Sequence, residues 1–458
     1  MVRLLALSTA LLCACASAQS PSLNPKVAKI VQGVSEDRIT ATLKKLESFG
    51  TRNTMSSQDD PQRGIGAARK WIYDELKGYS PRLQVRLDSY RVKKQLRITE
   101  DVEMSNIVAE LPGTIHKDQK VIISAHYDSL VLRNRTESGT GEGAPVPAGQ
   151  AQPAADPNIT APGVTDDGSG TAAVLELARV MSAQEYDKTL VFILFVAEEQ
   201  GLIGSSLYAE KAHKANEKIE AVLNNDIIGS VASGDGNVST RTVRIFSEDP
   251  ADSGSRQLAR YIKEVGERYV PSMDIDLVFR ADRFGRGGDH TPFNQEGFSA
   301  VRVSSAEEDY SHQHTSTDTF DNTSVPYITR VARINGAVAA TLALAPKSPV
   351  IIEEIERAGK KVMTPMIGRG KSRYDAQLRW KTDAQEADLA GYMVVMRSTT
   401  SPYWDRRMFV GKTGELLLPG VSIDEYIFGV QAIDVEGNAS LTSVYTLPQR
   451  EKRPIETY

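Results

Sequence analysis

The sequence predicts an α/β protein with a three-layer, mixed and mostly parallel sheet that carries helices on both faces, followed by a small all-β sandwich domain. Between residues 121 and 344, apolar runs of strand type alternate with segments of helical periodicity. Several of these runs stop abruptly at acidic, amide or histidine side chains. After a Pro- and Ser-containing linker at residues 345–349 the period changes, and short strands separated by turns follow.

Composition is that of an ordinary globular protein with room for two domains: 458 residues, 40% hydrophobic and 25% charged. A formal net charge of -5 and a pI near 5.8 give no basic surface, so nucleic acid is not expected as a partner. We predict a signal peptide at 1–18, an α/β domain at 19–346, a β-sandwich at 347–450 and a polar tail at 451–458.

The first residues indicate export. Arg3, an apolar core at residues 4–12 and Ala16-Ser17-Ala18 form a secretory signal with its cleavage site. A membrane anchor needs ~20 apolar residues, and neither this run nor any other is long enough. Residues 12–15 also resemble a bacterial lipobox, so a lipid anchor at Cys15 is an alternative to a secreted or periplasmic protein. Both cysteines lie in this signal, so metal ligands in the mature chain are restricted to His, Asp and Glu.

The elements of the first domain follow in order. Helices are predicted at 39–46, 64–76, 170–183, 205–215, 255–269 and 326–344, and strands at 85–96, 105–111, 121–125, 189–196, 219–223, 243–246 and 300–303. A Gly-, Pro- and Ala-rich segment at 133–163 is either a lid beside a site or disordered, and we favour a lid. In the second domain, strands are predicted at 377–380, 391–397, 409–410 and 426–434.

Strand 121–125 ends in His126 and Asp128. Ligands of open α/β sheets bind at the carboxyl ends of strands, and an Asp beside a metal-binding His often holds its second ring nitrogen. Alone, this pattern is more often structural than functional.

Further acidic groups follow other predicted strands or open a helix. Asp166-Asp167 precedes a helix, Glu198-Glu199 follows a buried strand, and Asp226 closes the next one. Helix capping or a favourable helix dipole explains some of them. Adjacent buried carboxylates repel each other, however, and a cation would relieve that repulsion.

Two histidines, His312 and His314, lie in a polar loop, and either could be an ordinary surface residue. Two His and three or four carboxylates, without Cys, suit a pair of divalent ions bridged by a carboxylate.

Over residues 35–345 the order and spacing of these groups resemble the family-28 zinc metallopeptidases, which include bacterial leucyl aminopeptidase. The matching segments are His126-x-Asp128, Asp166-Asp167-x-Ser169-Gly170, Glu198-Glu199-x-Gly201-x-x-Gly204-Ser205, Asp226 and His314-Thr315-x-x-Asp318-Thr319. The resemblance implies the zinc exopeptidase fold, two Zn²⁺ per chain and peptide or protein substrates.

Residue by residue, the resemblance implies that Asp166 bridges two ions. His126 and Asp226 complete one site, and Glu199 and His314 complete the other. Glu198 is the implied general base, Asp128 orients His126, and Asp289 and His290 lie beside the substrate pocket. Two features depart from the family: the 133–163 segment is longer, and Phe284, Gly285 and Arg286 stand where relatives carry a Tyr near the oxyanion.

The leading hypothesis is therefore an exported dizinc exopeptidase, with an aminopeptidase favoured. The alternatives are a carboxypeptidase, a glutaminyl-cyclase-like acyltransferase with one zinc, and a non-catalytic receptor or adhesion ectodomain.

The second domain resembles fibronectin type III, with Trp380 and Tyr426 matching that family's core tryptophan and tyrosine. The resemblance implies a binding or spacing role, and simple packing on the first domain is the alternative.

Overall fold

The computed structural model describes residues 23–132, 156–280, 287–357, 359–381 and 386–446. The predicted signal peptide with Cys15, residues 133–155 of the predicted lid, the segment 284–286 and the polar tail lie outside the described residues.

An eight-stranded sheet forms the centre of the first domain. Its strands are β1 (Gln84–Val92), β2 (Val102–Leu111), β3 (His116–His126), β4 (Lys188–Phe195), β5 (Lys218–Asn225), β6 (Thr242–Ser247), β7 (Asp274–Val278) and β8 (Ala300–Ser305). Their spatial order is β1-β2-β4-β3-β5-β8-β6-β7. The pairs β4–β3, β3–β5, β5–β8 and β6–β7 are parallel, and the other three are antiparallel.

Helices cover both faces of this sheet. They are α1 (Pro25–Gly33), α2 (Glu36–Ser48), α3 (Gly64–Tyr79), α4 (Ser169–Met181), α5 (Ile203–Lys214), α6 (Gly254–Tyr269), α7 (His290–Gln295) and α8 (Val325–Leu344). Helices α4 and α8 contact β3 and β4 on one face, whereas α7 lies against β5 and β8 and contacts α5 on the other. The predicted fold class is confirmed.

The second half of β3, residues 121–125, shows why its sequence is mostly apolar. Val121 and Ile123 point into the main core, while Ile122 between them belongs to the second core under α5 and α7. Successive strand residues face opposite sides, so a strand segment covered on both faces is apolar at most of its positions. All eight residues of β4 are likewise buried. These two strands therefore form the buried centre of the sheet, and the polar groups described below lie at their carboxyl ends.

The second part of the chain contains strands β9 to β17, with a core of their own. These strands are β9 (Ile352–Arg357), β10 (Lys360–Pro365), β11 (Ile367–Gly368), β12 (Ala376–Arg379), β13 (Leu389–Ser398), β14 (Arg406–Phe409), β15 (Glu415–Leu418), β16 (Tyr426–Asp434) and β17 (Ser443–Val444). They form a two-stranded, a three-stranded and a four-stranded sheet, so the region is all-β as predicted. Trp380 packs on Tyr392, with ring centroids 5.5 Å apart, while Tyr426 is half-buried beside Phe428.

Some predicted bounds are wrong. Strand β1 ends at Val92 rather than at residue 96, because the backbone amides of Gln95 and Ile98 bond to each other's carbonyls and close a hairpin turn. Leu96 has a φ of 49° at this turn, which a strand does not allow. Within the described residues, no helix has the length and apolarity required to cross a bilayer.

Candidate metal centre

Four of the predicted site residues lie at the ends of three adjacent parallel strands. His126 ends β3, Glu198 and Glu199 follow β4, and Asp226 follows β5. Because β4, β3 and β5 are neighbours and run in the same direction, their carboxyl ends meet at one edge of the sheet. The two remaining predicted ligands, Asp166 and His314, lie in loops before α4 and after β8.

The Asp166 carboxylate lies between two imidazoles. Its Oδ1 is 3.2 Å from His126 Nε2, and its Oδ2 is 3.0 Å from His314 Nε2. His314 Nε2 is also 3.0 Å from Glu199 Oε1. Potential ligand atoms within 4.8 Å of one another form the groups His126–Asp166–Asp226 and Asp166–Glu199–His314, with Asp166 common to both; a third group is His126–Glu198–Glu199.

Two observations show that these residues fit divalent cations. Glu199 Oε1 is buried without a hydrogen-bond partner, although His314 Nε2 is close by. Burial lowers the pKa of each imidazole, yet the surrounding carboxylates outweigh it and raise the pKa of His126 well above its usual value and that of His314 to about 9. The cluster therefore carries an excess of negative charge, and His nitrogens with carboxylate oxygens are suitable zinc ligands.

The loop that carries Asp166 is held by neighbouring side chains. Asp318 accepts hydrogen bonds from the backbone N–H of Thr165 (2.9 Å) and of Asp166 (3.0 Å), and Gln313 Nε2 donates to Asp166 Oδ2 at 2.8 Å. Burial raises the pKa of Asp318 to about 6. The peptide bond between Asp166 and Asp167 is cis.

Asp167 has a different surrounding from Asp166. Its carboxylate accepts hydrogen bonds from the backbone N–H groups of His126 (3.2 Å), Gly170 (2.9 Å) and Ile227 (3.2 Å). It thereby links the end of β3, the start of α4 and the loop after β5. The second aspartate of the pair joins the three segments that carry the site.

Asp128 lies beside the His126 imidazole, the neighbour that the sequence resemblance implies, and it also contacts the loop of the two glutamates. Its carboxylate accepts from the backbone N–H of Glu198 (3.2 Å) and of Glu199 (3.3 Å). Nδ1 of His126 lies 3.2 Å from the Asp128 carbonyl oxygen and 3.6 Å from its carboxylate. Asp128 therefore fixes the turn of the two glutamates as well as facing the imidazole.

Glu198 is half-buried, whereas Glu199 is buried. Burial raises the pKa of Glu198 well above its usual value, and Glu199 and Asp226 add to the effect. Its carboxyl group lines an open cavity of about 290 Å³ above the cluster. A carboxyl group with a raised pKa at the edge of a cavity is suited to exchange a proton with a bound molecule.

The cavity also contains residues that the sequence did not single out. It is lined by Arg97, Asp166, Glu198, Glu199, Gly201, Leu202, Asp226, Gly287, Arg302 and His314. Arg302 is buried in β8, and its Nη2 lies 3.0 Å from Asp226 Oδ1. The Arg97 guanidinium donates to the carbonyl oxygen of Glu199. Neither arginine belongs to a recognisable motif, so only the three-dimensional structure reveals them.

Backbone strain is concentrated around this cavity. Among the described residues, seven other than glycine have positive φ, and five of them line the cavity or adjoin a residue that does: Leu96, Ala197, Leu202, Ile227 and His314. A β-branched residue such as Ile227 rarely adopts φ of 57°. Such conformations cost about 1–3 kcal/mol each and persist where the surrounding structure enforces them, often at functional sites.

The segment 287–290 lies beside the cluster. A side-chain carbon at Gly288 would lie only 3.4 Å from Asp226 Oδ2, so the backbone passes close to this carboxylate. Asp289 is buried, and burial raises its pKa to about 7. His290 is buried at the start of α7. His312, by contrast, lies 3.6 Å from Asp309 and 2.8 Å from the Thr317 hydroxyl, and it belongs to none of the potential ligand groups found among the described residues.

Comparison with known proteins gives four similarities. Residues 106–339 match the family described as Peptidase family M28. The chain is 35% identical to a probable zinc metalloprotease of Pyricularia oryzae, over 93% of this chain and 84% of that protein. The LapA aminopeptidase of Legionella pneumophila superposes with a TM-score of 0.52 at 20% identity, covering 71% of this chain and 76% of that one. A glutaminyl cyclase of Fimbriiglobus ruber superposes with a TM-score of 0.51 at 19% identity, covering 67% and 95%. The two structural likenesses show a common fold.

Proposed function

The chain belongs to peptidase family M28 and is a zinc metallopeptidase, and we propose that it is an exported dizinc aminopeptidase that releases N-terminal residues from peptides. The observation that carries the proposal is the position of Asp166, whose two carboxylate oxygens each lie within about 3 Å of a different imidazole. A carboxylate so placed would bridge two cations.

The proposed ligands form two sets. His126, Asp166 and Asp226 would hold one zinc ion, and Asp166, Glu199 and His314 the other. Bound zinc supplies Lewis acidity toward the scissile carbonyl and lowers the pKa of a coordinated water. Because each set includes Asp166, a change at this residue would affect both ions.

Glu198 would act as the general base. It lines the cavity beside the ligand Glu199 and, in the proposed scheme, takes a proton from the attacking water and returns it to the leaving amine. Asp128 accepts from the N–H groups of both glutamates, so it keeps the base and the ligand at a fixed separation. A group that must gain and release a proton works best when its pKa is near the working pH, and the burial of Glu198 shifts its pKa in that direction.

An aminopeptidase is favoured over a cyclase by the composition of the site. A glutaminyl-cyclase-like acyltransferase would use one zinc, whereas the described residues supply ligands for two. The LapA likeness supports the fold but leaves open which terminus is recognised. The proposal also includes export by the 1–18 signal, with a lipid anchor at Cys15 as the alternative. It further includes a fibronectin type III-like fold for residues 347–450.

The test uses zinc-loaded protein and matched peptides with free and acetylated amino termini, with and without a chelator. We expect release of the first residue only from free-amino peptides, loss of activity with chelator, and close to two zinc ions per chain by atomic absorption. Cleavage of N-acetylated peptides from the carboxyl end would instead establish a carboxypeptidase. One zinc per chain with cyclisation of N-terminal glutamine would establish the acyltransferase, and no turnover with two zinc ions would contradict the enzymatic proposal.

A further inference from the structure

The motif Asn-x-Ser/Thr, in which x is not proline, occurs four times within the described residues, and one further copy at Asn134 lies outside them. This motif is the acceptor for N-linked glycans in exported proteins. The four described copies differ in their surroundings: Asn158, Asn237 and Asn322 are exposed, whereas only 1% of the Asn438 surface is. A glycan is a bulky polar group that requires a surface position, so the structure separates three possible acceptors from one excluded position.

Each of the three exposed motifs lies in a connection that also carries a proposed metal ligand. The pairs are Asn158 with Asp166 between β3 and α4, Asn237 with Asp226 between β5 and β6, and Asn322 with His314 between β8 and α8. Strands β3, β5 and β8 are parallel neighbours, so these three connections begin at the same edge of the sheet. The exposed motifs therefore belong to the loops of the metal-centre edge.

The Asn158 motif forms an exposed turn. Asn158, Ile159 and Thr160 are all exposed, and even the apolar Ile159 has 45% of its surface in contact with solvent. The Asp156 carboxylate accepts from the backbone N–H of Asn158 at 2.9 Å, and the Asp156 carbonyl oxygen accepts from that of Ile159 at 3.0 Å. Backbone groups thus hold this turn, and a sugar on the Asn158 amide would leave the turn intact.

The other two exposed motifs use their amides only in local contacts. Asn237 Nδ2 lies 3.0 and 3.1 Å from the two carboxylate oxygens of Asp235, and Val238 beside it is 67% exposed. Asn322 Nδ2 donates to the Thr317 carbonyl oxygen at 2.8 Å. A glycan replaces one of the two amide hydrogens, so the second N–H can keep the local bond in each case. Both positions are therefore compatible with a glycan.

Asn438 has the same motif but lies between the two domains. Its Nδ2 donates to the Asp434 carboxylate at 2.6 Å, and its Oδ1 accepts from Nδ2 of Asn24, the residue that caps α1, at 3.1 Å. Ser440, the hydroxyl residue of the motif, is buried as well. A glycan on Asn438 would have to separate the second domain from α1, so the folded protein cannot carry one there.

We propose that Asn158, Asn237 and Asn322 are acceptors for N-linked glycans and that Asn438 stays unmodified. This inference rests on the export that forms part of the proposed function. The glycan donor is an oligosaccharide linked through pyrophosphate to a lipid of a eukaryotic secretory membrane. A bond forms between asparagine Nδ2 and C1 of the first sugar, the bond from C1 to the pyrophosphate oxygen breaks, and the amide proton passes to the released lipid pyrophosphate.

The test expresses the full chain in a eukaryotic host with its own residues 1–18, and in parallel with a secretory signal of the host in their place. Chains are recovered from the medium and from the cells. Peptide N-glycosidase in heavy-oxygen water converts each glycosylated asparagine into an isotope-labelled aspartate, which peptide mass spectrometry locates. We expect label at Asn158, Asn237 and Asn322 and none at Asn438.

Variants at two motifs give an independent readout. Asn158→Gln and Thr160→Ala both destroy the first motif and should each remove the mass of one glycan from the intact protein, whereas Thr160→Ser preserves the motif and should retain that mass. Asn438→Gln should leave the glycan mass unchanged. After enzymatic deglycosylation it should unfold at a lower temperature than Asn158→Gln, because it disturbs the buried bonds to Asp434 and Asn24.

The outcomes separate this inference from the proposed function. An unlabelled site among the three exposed ones would overturn the assignment of that site, and label at Asn438 in folded protein would overturn the argument from burial. Absence of glycans with either signal would overturn the inference as a whole. Glycans that appear only with the signal of the host would contradict export by residues 1–18 and support the three acceptor sites. Peptide hydrolysis by the zinc-loaded protein tests the peptidase proposal separately.

Discussion

Glu198 and Glu199 are adjacent in the chain, yet their carboxylates have different surroundings. Glu199 Oε1 is buried 3.0 Å from His314, whereas Glu198 is half-buried and faces the cavity. The backbone between them is held by Asp128, so the two side chains cannot exchange positions without breaking these bonds. One chemical group thus serves two purposes because of its burial and its neighbours.

We predict that Glu198→Gln retains zinc but lowers kcat by about 10²–10⁴, the usual contribution of a general base. The amide keeps the shape of the side chain but cannot accept the proton. Glu199→Gln is the matched control: it should lose zinc as well as activity. Zinc content by atomic absorption and kcat on a free-amino peptide distinguish the two, and a zinc-replete Glu198→Gln enzyme with normal kcat would exclude this residue as the base.

A second prediction concerns Arg52, which is fully buried beneath the site. Its guanidinium donates to the carbonyl oxygens of Tyr127 and Gly163, both at 2.7 Å, and so joins the end of β3 to the Asp166 loop. Burial lowers its pKa to about 10. Arg52→Met would leave these carbonyls unsatisfied, and we expect the free energy of unfolding to fall by about 3 kcal/mol or more.

Urea denaturation of the zinc-loaded protein measures this effect. Arg63→Met is the matched control, because Arg63 donates to the carbonyl oxygen of Asn158 at the surface; its loss should cost about 1 kcal/mol or less. Equal destabilisation by both substitutions would show that the buried contacts of Arg52 contribute no more to the free energy of unfolding than the surface contact of Arg63.

Single residues differ in how far the sequence predicts them. His126, Glu198, Glu199 and Asp226 follow apolar runs, and a polar group at the end of a buried strand stands out in any sequence. Arg302 lies within a strand and reaches Asp226 only because β8 pairs with β5. Arg97 lies at a hairpin tip whose contact with Glu199 is set by tertiary packing. No local sequence pattern predicts such contacts, because they depend on how distant strands and loops pack.

At the scale of elements, the start of α4 illustrates how tightly the site is enclosed. A side-chain carbon at Gly170 would lie 2.5 Å from Asp167 Oδ2 and 2.6 Å from the carbonyl oxygen of Asn225. Both distances are shorter than atoms allow; the Asp167 carboxylate is held by three backbone N–H groups, and the Asn225 oxygen belongs to the backbone. The helix therefore approaches the end of β5 so closely that only glycine fits.

We predict that Gly170→Ala lowers both stability and zinc affinity, because the added methyl group must displace Asp167 or the strand that leads to Asp226. An overpacking of this kind typically costs about 1–3 kcal/mol. Gly78→Ala in α3 is the control, since nothing lies within 4 Å of its side-chain position, and a helical alanine should be neutral or stabilise by up to ~1 kcal/mol. Thermal unfolding with and without zinc measures both effects, and equal behaviour of the two variants would contradict the prediction.

Elements with strong periodicity were predictable, and others were not. Strand β4 and the central parts of β3 and β5 are mostly apolar and buried, so these segments follow from the sequence, whereas the polar first half of β3 does not. Strand β7 alternates Asp with apolar residues at the edge of the sheet, and β9 and β10 are mostly exposed and charged. The sequences of such segments lack the apolar pattern of a buried strand, because pairing with a neighbouring strand rather than burial of an apolar face determines their structure.

At the scale of the whole molecule, the C-terminal sheets pack on the first domain through specific polar contacts. Arg397 is buried, and its guanidinium pairs with Asp252 at the start of α6. The Tyr261 hydroxyl donates to the carbonyl oxygen of Ala439 at 2.6 Å, and His116 lies 3.0 Å from Glu386. Leu441 belongs to the core of the first domain. These contacts favour a fixed orientation of the second domain over a flexible spacer.

We predict that Arg397→Met destabilises the whole chain by about 3–5 kcal/mol, because it leaves Asp252 in a mostly buried position without its partner. Arg369→Met is the control, since its pair with Asp424 lies exposed within the second domain and should leave the unfolding midpoint unchanged. A single thermal transition that shifts down only in Arg397→Met is expected. Two separate transitions in the unmodified protein would show that the domains unfold independently.

The contact between the two ends of the described chain has a consequence for synthesis. Asn24, which caps α1, donates from its side-chain nitrogen to Glu436, 412 positions later, and to Asn438. A ribosome that adds 5–20 residues per second needs roughly 20–80 s between these points. During that interval the Asn24 amide lacks these two partners, although Val27 and Ile30 of the same helix are covered earlier, once α8 has been synthesised. A chain terminated before α8 would leave both apolar side chains exposed and would be a target for quality-control proteases.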